Sequence, residues 1–527
     1  MATTRSSMGG GPIFVLREGT RRTQGRAARD SNILAGRAVA NAIRTTLGPR
    51  GMDKMLVDST GNVVITNDGA TILDEMDVDH PGAQMIVEVA ETQEEEVGDG
   101  TTTAAVLAGQ LLVKAEDLLD EDVAPTTIVE GYQEAAHLAM AAIDEHLIDV
   151  EVDDDLLATV AAASMTGKGT GSVDPETLAD LVVEAVRQVS TDGERIDREA
   201  IRVESRVGES ASSTTVVEGV VVDKEPIADG MPRNIEDATV ALLDVPIEVR
   251  ESASGVEYRV TNADQLAAAM DAEEGELRGY VETLADAGVG VAISTKAIDD
   301  RIGSMLAREG ILAFERVSSD DVRAIARATG ATRVGTLVDL DEADLGTAHR
   351  VRIERFGEDE LAVVEGGIET ETVTVVVRGG TEHVVAELER AIDDAIDVVV
   401  TAMETGEVVP GAGAIETAIS GYVRDHATTV AGRKQLAVEA FASAMDAIPQ
   451  TLATNMGMDP IDAIVDLKTH HDRGEVVGIV DDGKNGDITD AVAAGVIEPA
   501  AIKREAIENA TEAARMLLRI DDVIAAR

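Results

Sequence analysis

The chain has 527 residues, no cysteine, and a net charge of −55 at pH 7 from 100 acidic against 45 basic side chains. Disulfide and thiol chemistry are therefore excluded, and nucleic acid is an unfavourable partner because its phosphates would be repelled. Apolar residues make up 44 % of the chain, too many for a disordered acidic polymer, and the length calls for more than one domain.

Residues 1–24 are rich in Gly, Ser, Thr and Arg and read as a loose arm. No apolar run is long enough to span a bilayer, and the N-terminus shows no signal-peptide core, so a soluble cytoplasmic protein without a membrane partner is expected. A helix carries Val39, Ile43 and Leu47 on one face and stops at Gly48-Pro49-Arg50-Gly51, a turn that exposes backbone amides. Asn62–Thr66 reads as a strand, Asn67-Asp68-Gly69 as a hairpin turn and Ala70–Leu73 as the returning strand. In that reading Asp68 is a good turn former.

Two helical patterns then flank Gly98-Asp99-Gly100-Thr101-Thr102-Thr103. Ala83, Ile86, Val87 and Ala90 recur before it; Val106, Leu107, Gln110, Leu111 and Leu118 recur after it. The stretch reads as a capped helix start or as a phosphate loop. Glycines allow close approach, first-turn amides point outward, and three hydroxyls add donors. A carboxylate at Asp99 suits a phosphate site when Mg²⁺ lies between them.

Long helices continue to about residue 147, and the acidic run 151–155 marks a junction. Ser164–Gly169 is a small loop holding Lys168, one of only 9 lysines; a lone Lys there is either solvated or a phosphate partner. From about Val216 strands alternate with helices. Val240–Leu243, Gly290–Ile293 and Ile311–Phe314 are buried-strand candidates, with helices near 298–309 and 319–329. This is the pattern of an α/β domain. Leu266, Met270, Leu277, Val281 and Leu284 mark an amphipathic helix over 262–286, interrupted by Gly275 at a cost of about 1 kcal/mol relative to Ala. Val373–Val377 is a strand, a long helix carries Ile392-Asp393-Asp394-Ala395-Ile396, and Val409–Gly413 is a further Gly turn before helices resume. The order helical, junction, α/β, junction, helical suggests one domain inserted into another.

Several of these segments together resemble a group II chaperonin, the archaeal thermosome. The likeness rests on Thr45–Met55, Thr66–Thr71, Gly98–Thr103, Ile392–Ala395, Asn455–Asp462 and Arg519–Val523, in order over nearly the whole chain. The scarcity of Lys beside abundant Asp and Glu also resembles haloarchaeal proteins. At about 1 M salt the Debye length is about 3 Å, so such charges scarcely repel, and a hydrated acidic surface keeps a protein soluble.

The resemblance implies a multidomain α and α/β fold. A helical equatorial ATP-binding domain would span 1–151 and 410–527. A small intermediate α/β hinge domain would span 152–218 and 379–409. An inserted apical α/β domain with a helical lid protrusion would span 219–378. It implies an ATPase that encloses and folds unfolded protein clients in two stacked rings of about eight or nine identical or paralogous subunits. By the same resemblance Leu47, Gly48, Pro49 and Gly100–Thr103 (Gly100, Thr101, Thr102, Thr103) hold phosphate, and Asp99 holds Mg²⁺, with K⁺ a further candidate ion. Asp68 and Asp394 position and activate water. Thr166 and Lys168 lie in a loop that senses the terminal phosphate, and Gly411, Gly413 and Glu498 lie near the ribose and base. Leu266, Met270, Leu277, Val281 and Leu284 would offer lid or client contacts.

Three features depart from the family pattern. Ala412 replaces the middle of three glycines, which places a methyl near the ribose; Gly275 brings the rigidity of the lid helix into question; and the usual Gly-Gly-Met tail does not follow Ala526. A ring that captures chains without hydrolysis and a small-molecule phosphotransferase are the competing functions. His470-His471 reads as a solvated pair, because neighbours point apart on a helix, and the 16 Met residues read as core fillers.

Overall fold

A computed structural model of the chain describes residues 21–57, 59–169, 173–190, 195–249, 263–357, 359–367 and 372–525, with the side chains of 21, 263–266, 269, 339 and 525 excepted. The fold is mixed α/β and divides into two compact units. One combines the chain up to Val150 with the chain from Glu407 onward; the other is the continuous stretch Glu151–Gly406. Among the described residues no helix is long and apolar enough to cross a membrane.

The first unit is built around the helix Thr101–Asp120. Its neighbours are the helices Arg26–Ile43, Pro81–Val97, Lys434–Met445 and Ala500–Arg519. Ala104, Ala105 and Ala108 let these helices approach, while Leu107, Leu111 and Leu112 fill the space between them. Each fully buried Leu contributes about 1.5–3 kcal/mol. Tyr132 sits in this aliphatic core, its ring edge-on to Phe441 at 6.0 Å and its hydroxyl donating to the Leu111 carbonyl at 2.7 Å.

Two expectations for this unit are corrected. The hairpin pairs Lys54–Val57 with Val63–Thr66, and Asn67-Asp68-Gly69 is not its turn. Asp68 instead accepts the Thr71 N–H at 2.7 Å and caps the helix Gly69–Asp74, so the expected return strand is helical. The proposed arm ends in a strand: Arg21–Gln24 pairs antiparallel with Asp522–Ala525, and Arg22 grips Asp522 at 2.5 and 2.9 Å. The rest of that stretch lies outside the described residues.

In the second unit a mixed sheet has the order Val220–Val222, Asp359–Gly366, Gly346–Phe356, Asn234–Leu243, Val291–Ser294, Leu312–Phe314, and Arg333–Val334 adds beside Asn234–Leu243. The three expected buried strands are its parallel neighbours, with Val240 opposite Val291 and Val291 opposite Leu312. Helices Asp300–Glu309 and Ser319–Thr329 pack on it. A smaller sheet places Val373–Gly379 between Ile201–Val207 and Thr215–Glu218, and Thr381 caps the long helix Glu382–Thr405.

The helix Ala263–Asp286 runs through Gly275 without a break. A Cβ there would meet open space, so the glycine lowers propensity without interrupting hydrogen bonding. Leu277, Val281 and Leu284 are 0 %, 4 % and 0 % exposed and belong to the core under the sheet. In this structure the three pack inside their own unit; an apolar stripe shows only that something covers it, and the neighbours of this helix are the helix Asp300–Glu309 and the 3₁₀ turn Leu337–Asp339. Met270 stays 62 % exposed, and the Leu266 side chain lies outside the description.

Candidate functional site

The first unit gathers most of the expected site residues. The helix Pro81–Val97 ends at Gly98 with φ +66°, and Gly100 follows at φ +84°. Between them the Asp99 carboxylate accepts the Gly100 N–H at 2.8 Å, and the Asp99 carbonyl accepts from Gln93 at 2.9 Å. No side chain caps the helix that starts at Thr101, and its first-turn amides have no intrahelical partner, which is the chemistry of a helix end that can take an anion. The Thr101, Thr102 and Thr103 side chains are nearly buried. Gly69 abuts this turn so closely that a Cβ would lie 2.4 Å from the Thr102 Oγ1 and 3.0 Å from the Thr102 nitrogen. Asp68, one residue earlier, therefore stands beside the Asp99–Thr103 turn.

Two further glycine turns meet on one side chain. A Cβ on Gly48 (φ +86°) would lie 2.4 Å from Leu452 Cδ2, and one on Gly413 (φ +78°) would lie 3.3 Å from Leu452 Cδ1 and 2.9 Å from Pro449. Side chains there would force both turns away from the helix Ala447–Asn455. Arg50, after Pro49, is bidentate to Asp481 at 2.7 and 2.8 Å. Between Gly411 and Gly413, Ala412 adopts φ +56°, its carbonyl accepts from Ile479 N–H at 2.9 Å, and its methyl faces Gly478. A left-handed conformation is strained for an L-residue by about 1–2 kcal/mol, partly offset by the lower entropy of unfolded Ala. Ala412→Gly should raise stability by about 0.5–1 kcal/mol, read as a higher urea midpoint; an unchanged or lower midpoint would refute the strain.

Glu498 lies on the short strand Ile497–Pro499, opposite Val409. Its Oε1 occupies the space where a Gly411 side chain would begin, 2.5 Å away. Its Oε2 is 2.5 Å from Lys503 Nζ, and the same ammonium is 2.9 Å from Glu416 Oε1. Burial pushes the Glu498 carboxyl up, Lys503 pulls it down, and Glu416 and Asp99 push it up again; the net direction is upward. Burial acts to lower Lys503, but Glu416 and Glu498 hold the ammonium above its ordinary value.

Three of the residues expected at the nucleotide site belong to the second unit. Thr166 ends the helix Asp154–Met165, its hydroxyl donating to the Ala162 carbonyl at 2.8 Å. Lys168 Nζ lies 2.5 Å from Asp394 Oδ2, and both side chains are largely buried. The adjacent Asp393 points elsewhere: it accepts from Arg198 at 2.8 Å, and Arg198 also binds Asp397. Burial pushes the Asp393 carboxyl up against the pull of Arg198.

Residues 39–527 match the TCP-1/cpn60 chaperonin family. The chain belongs to that family. Relatives align end to end: thermosome subunit 3 of Haloferax volcanii is 61 % identical over 98 % of this chain and 99 % of its own length. Thermosome subunit alpha of Halobacterium salinarum and thermosome subunit 1 of Haloferax volcanii are each 51 % identical over 98 % of this chain and 92 % of their own. The chain is thus a group II chaperonin, a protein-folding chaperone, and its acidity fits relatives from salt-loving archaea.

Residue-type patterns in the chaperonin did not expose Lys503 or Glu416, nor the contacts of Leu452 and Asn455 with the Gly48 turn. One signal for Lys503 was available: a rare Lys shares the helix face of Ile502, Ala506 and Ile507, which are all buried, so it needs a buried counter-charge. His470 contacts Glu475 through Nδ1 and His471 contacts the Val477 carbonyl. Among the described residues no cluster of His, Cys, Asp and Glu is arranged to hold a metal ion by protein side chains alone.

Proposed function

We propose that this chaperonin binds and hydrolyses Mg-ATP in its first unit and uses the cycle to enclose and fold unfolded proteins in a cytoplasmic double ring. The observation that carries the reading is the contact of Gly69 with Thr102, which sets Asp68 and Asp99 beside an uncapped helix N-terminus. That donor set fits a magnesium nucleotide: amides for phosphate, a carboxylate for a hard cation and a second carboxylate for water.

In this reading Leu47, Gly48 and Pro49 and the turn Gly100–Thr103 bind phosphate through backbone amides and hydroxyls. Asp99 contributes an oxygen to Mg²⁺, whose charge offsets that of the phosphates when bound; K⁺ is a second candidate. Asp68 and Asp394 orient water and accept its proton. Lys168, with Thr166 in the same loop, reports on the terminal phosphate, and Gly411, Gly413 and Glu498 border the ribose and base.

The three-domain division of the family would then split the second unit into an intermediate part, the smaller sheet with the helix Glu382–Thr405, and an apical part, the larger sheet with the helix Ala263–Asp286. Met270 and Leu266 remain candidates for lid or client contact. One organism, Haloferax volcanii, supplies two different relatives, which favours rings that mix paralogous subunits.

Asp99→Ala tests the nucleotide reading. Titration calorimetry should show Mg-ATP affinity falling tenfold or more, about 1.4 kcal/mol per decade, with the difference largely gone when EDTA replaces Mg²⁺. Equal affinity of both proteins for Mg-ATP would remove Asp99 from the site.

A further inference from the structure

The Gly48 turn draws part of its support from a distant stretch of the chain. It follows a single 3₁₀ turn, Arg44–Thr46, and closes on itself through Gly51 N–H to the Gly48 carbonyl and Met52 N–H to the Thr45 carbonyl, both at 2.8 Å. The Asn455 side-chain amide reaches it from over four hundred positions away. Its Nδ2 donates to the Leu47 carbonyl at 2.8 Å and to the Arg44 carbonyl at 3.2 Å. Pro449, Leu452 and Asn455 recur every three residues on the helix Ala447–Asn455 and share a face. The first two lie under the Gly413 turn, and Leu452 also lies under Gly48.

The bond to Leu47 has a directional consequence. The Leu47–Gly48 peptide is planar and trans, so its C=O and N–H point in opposite directions. A donor that holds the Leu47 carbonyl toward Asn455 sends the Gly48 N–H to the other side of the turn. We propose that Asn455 is a positioning residue for phosphate, aiming the Gly48 N–H by holding the peptide plane from its far side. This rests on the reading of the Gly48 turn as a phosphate contact. Asn suits the task because its amide offers two donor hydrogens for two carbonyls, where a carboxylate of the same shape offers none.

The test uses the full chain and three probes: ATP, ADP and adenosine, titrated calorimetrically into wild type, Asn455→Ala, Asn455→Ser and Asn455→Asp. Asn455→Ala should weaken ATP and ADP about tenfold, the size of one well-made hydrogen bond, and leave adenosine within about twofold. Asn455→Asp should weaken the two nucleotides further, because its oxygens would face two carbonyls. Asn455→Ser, which keeps one donor, should fall between wild type and Ala. Unchanged ATP affinity in Asn455→Ala, or an equal loss for adenosine, would overturn the proposal and leave Asn455 a packing residue. Failure of wild type itself to bind ADP would instead overturn the phosphate reading and the proposal with it. If Asn455→Asp does not fold, amide exchange of residues 44–52 in nucleotide-free Asn455→Ala decides: faster exchange supports a held peptide plane, and wild-type protection refutes it.

Discussion

Asp394→Ala is expected to retain ATP binding and cut steady-state hydrolysis about 10²-fold or more, the loss that follows removal of a positioned base. The neighbouring Asp393→Ala is the informative control. Two adjacent acids on one helix are equivalent in sequence, but they have different partners: Asp394 faces Lys168 at 2.5 Å, and Asp393 faces Arg198. Removing Asp393 frees Arg198 to keep its bond with Asp397, so turnover there should stay within a few-fold of wild type. Equal losses in the two variants, or none in Asp394→Ala, would take Asp394 out of the chemistry. Persistent client capture with no hydrolysis in the wild type would favour the non-hydrolysing ring.

Lys503→Met should lower the stability of the chain by about 3–5 kcal/mol, the usual consequence of leaving a buried charge without its partner. The Lys503 and Glu416 side chains are only 8 % and 4 % exposed. Removing the ammonium strands Glu416 and leaves Glu498 against Gly411 with no counter-charge. Lys503→Met combined with Glu416→Gln should be milder than Lys503→Met alone, because one stranded carboxylate is then neutral. Urea unfolding of the two proteins gives the comparison. A loss under about 1 kcal/mol in Lys503→Met would mean that water already solvates the triad.

Helix faces such as Val39–Ile43 and Ala83–Ala90 were legible because a 3.6-residue period needs no knowledge of the partner. The strands Val240–Leu243 and Ile311–Phe314 were legible as short apolar runs. Asn67-Asp68-Gly69 was misread because the same residue types serve hairpin turns and helix caps; only the bond from Thr71 N–H to the Asp68 carboxylate separates them. The stripe Leu277, Val281, Leu284 was visible as a stripe, but periodicity carries no information about what lies against it. The Glu416–Lys503–Glu498 triad and the Asn455 bonds join positions far apart in the chain, where local pattern has no reach. Asp68, Asp99 and Thr101–Thr103 were found as separate motifs, and the close approach at Gly69 is what makes them neighbours.

The first unit is assembled from both ends of the chain, with the 256 residues of Glu151–Gly406 made in between. On a ribosome adding about 5–20 residues per second, the helix Thr101–Asp120 emerges at least about 13–50 s before its partners Lys434–Met445 and Ala500–Arg519 exist. Arg26–Ile43 and Pro81–Val97 are already made, but the face that meets those later helices is uncovered for that whole interval, while Glu151–Gly406 is contiguous and can close on itself as it appears. A protein-folding chaperone is thus itself an unfinished chain for much of its own synthesis. The nascent N-terminal helices of one copy have the same need for cover as any other unfolded chain.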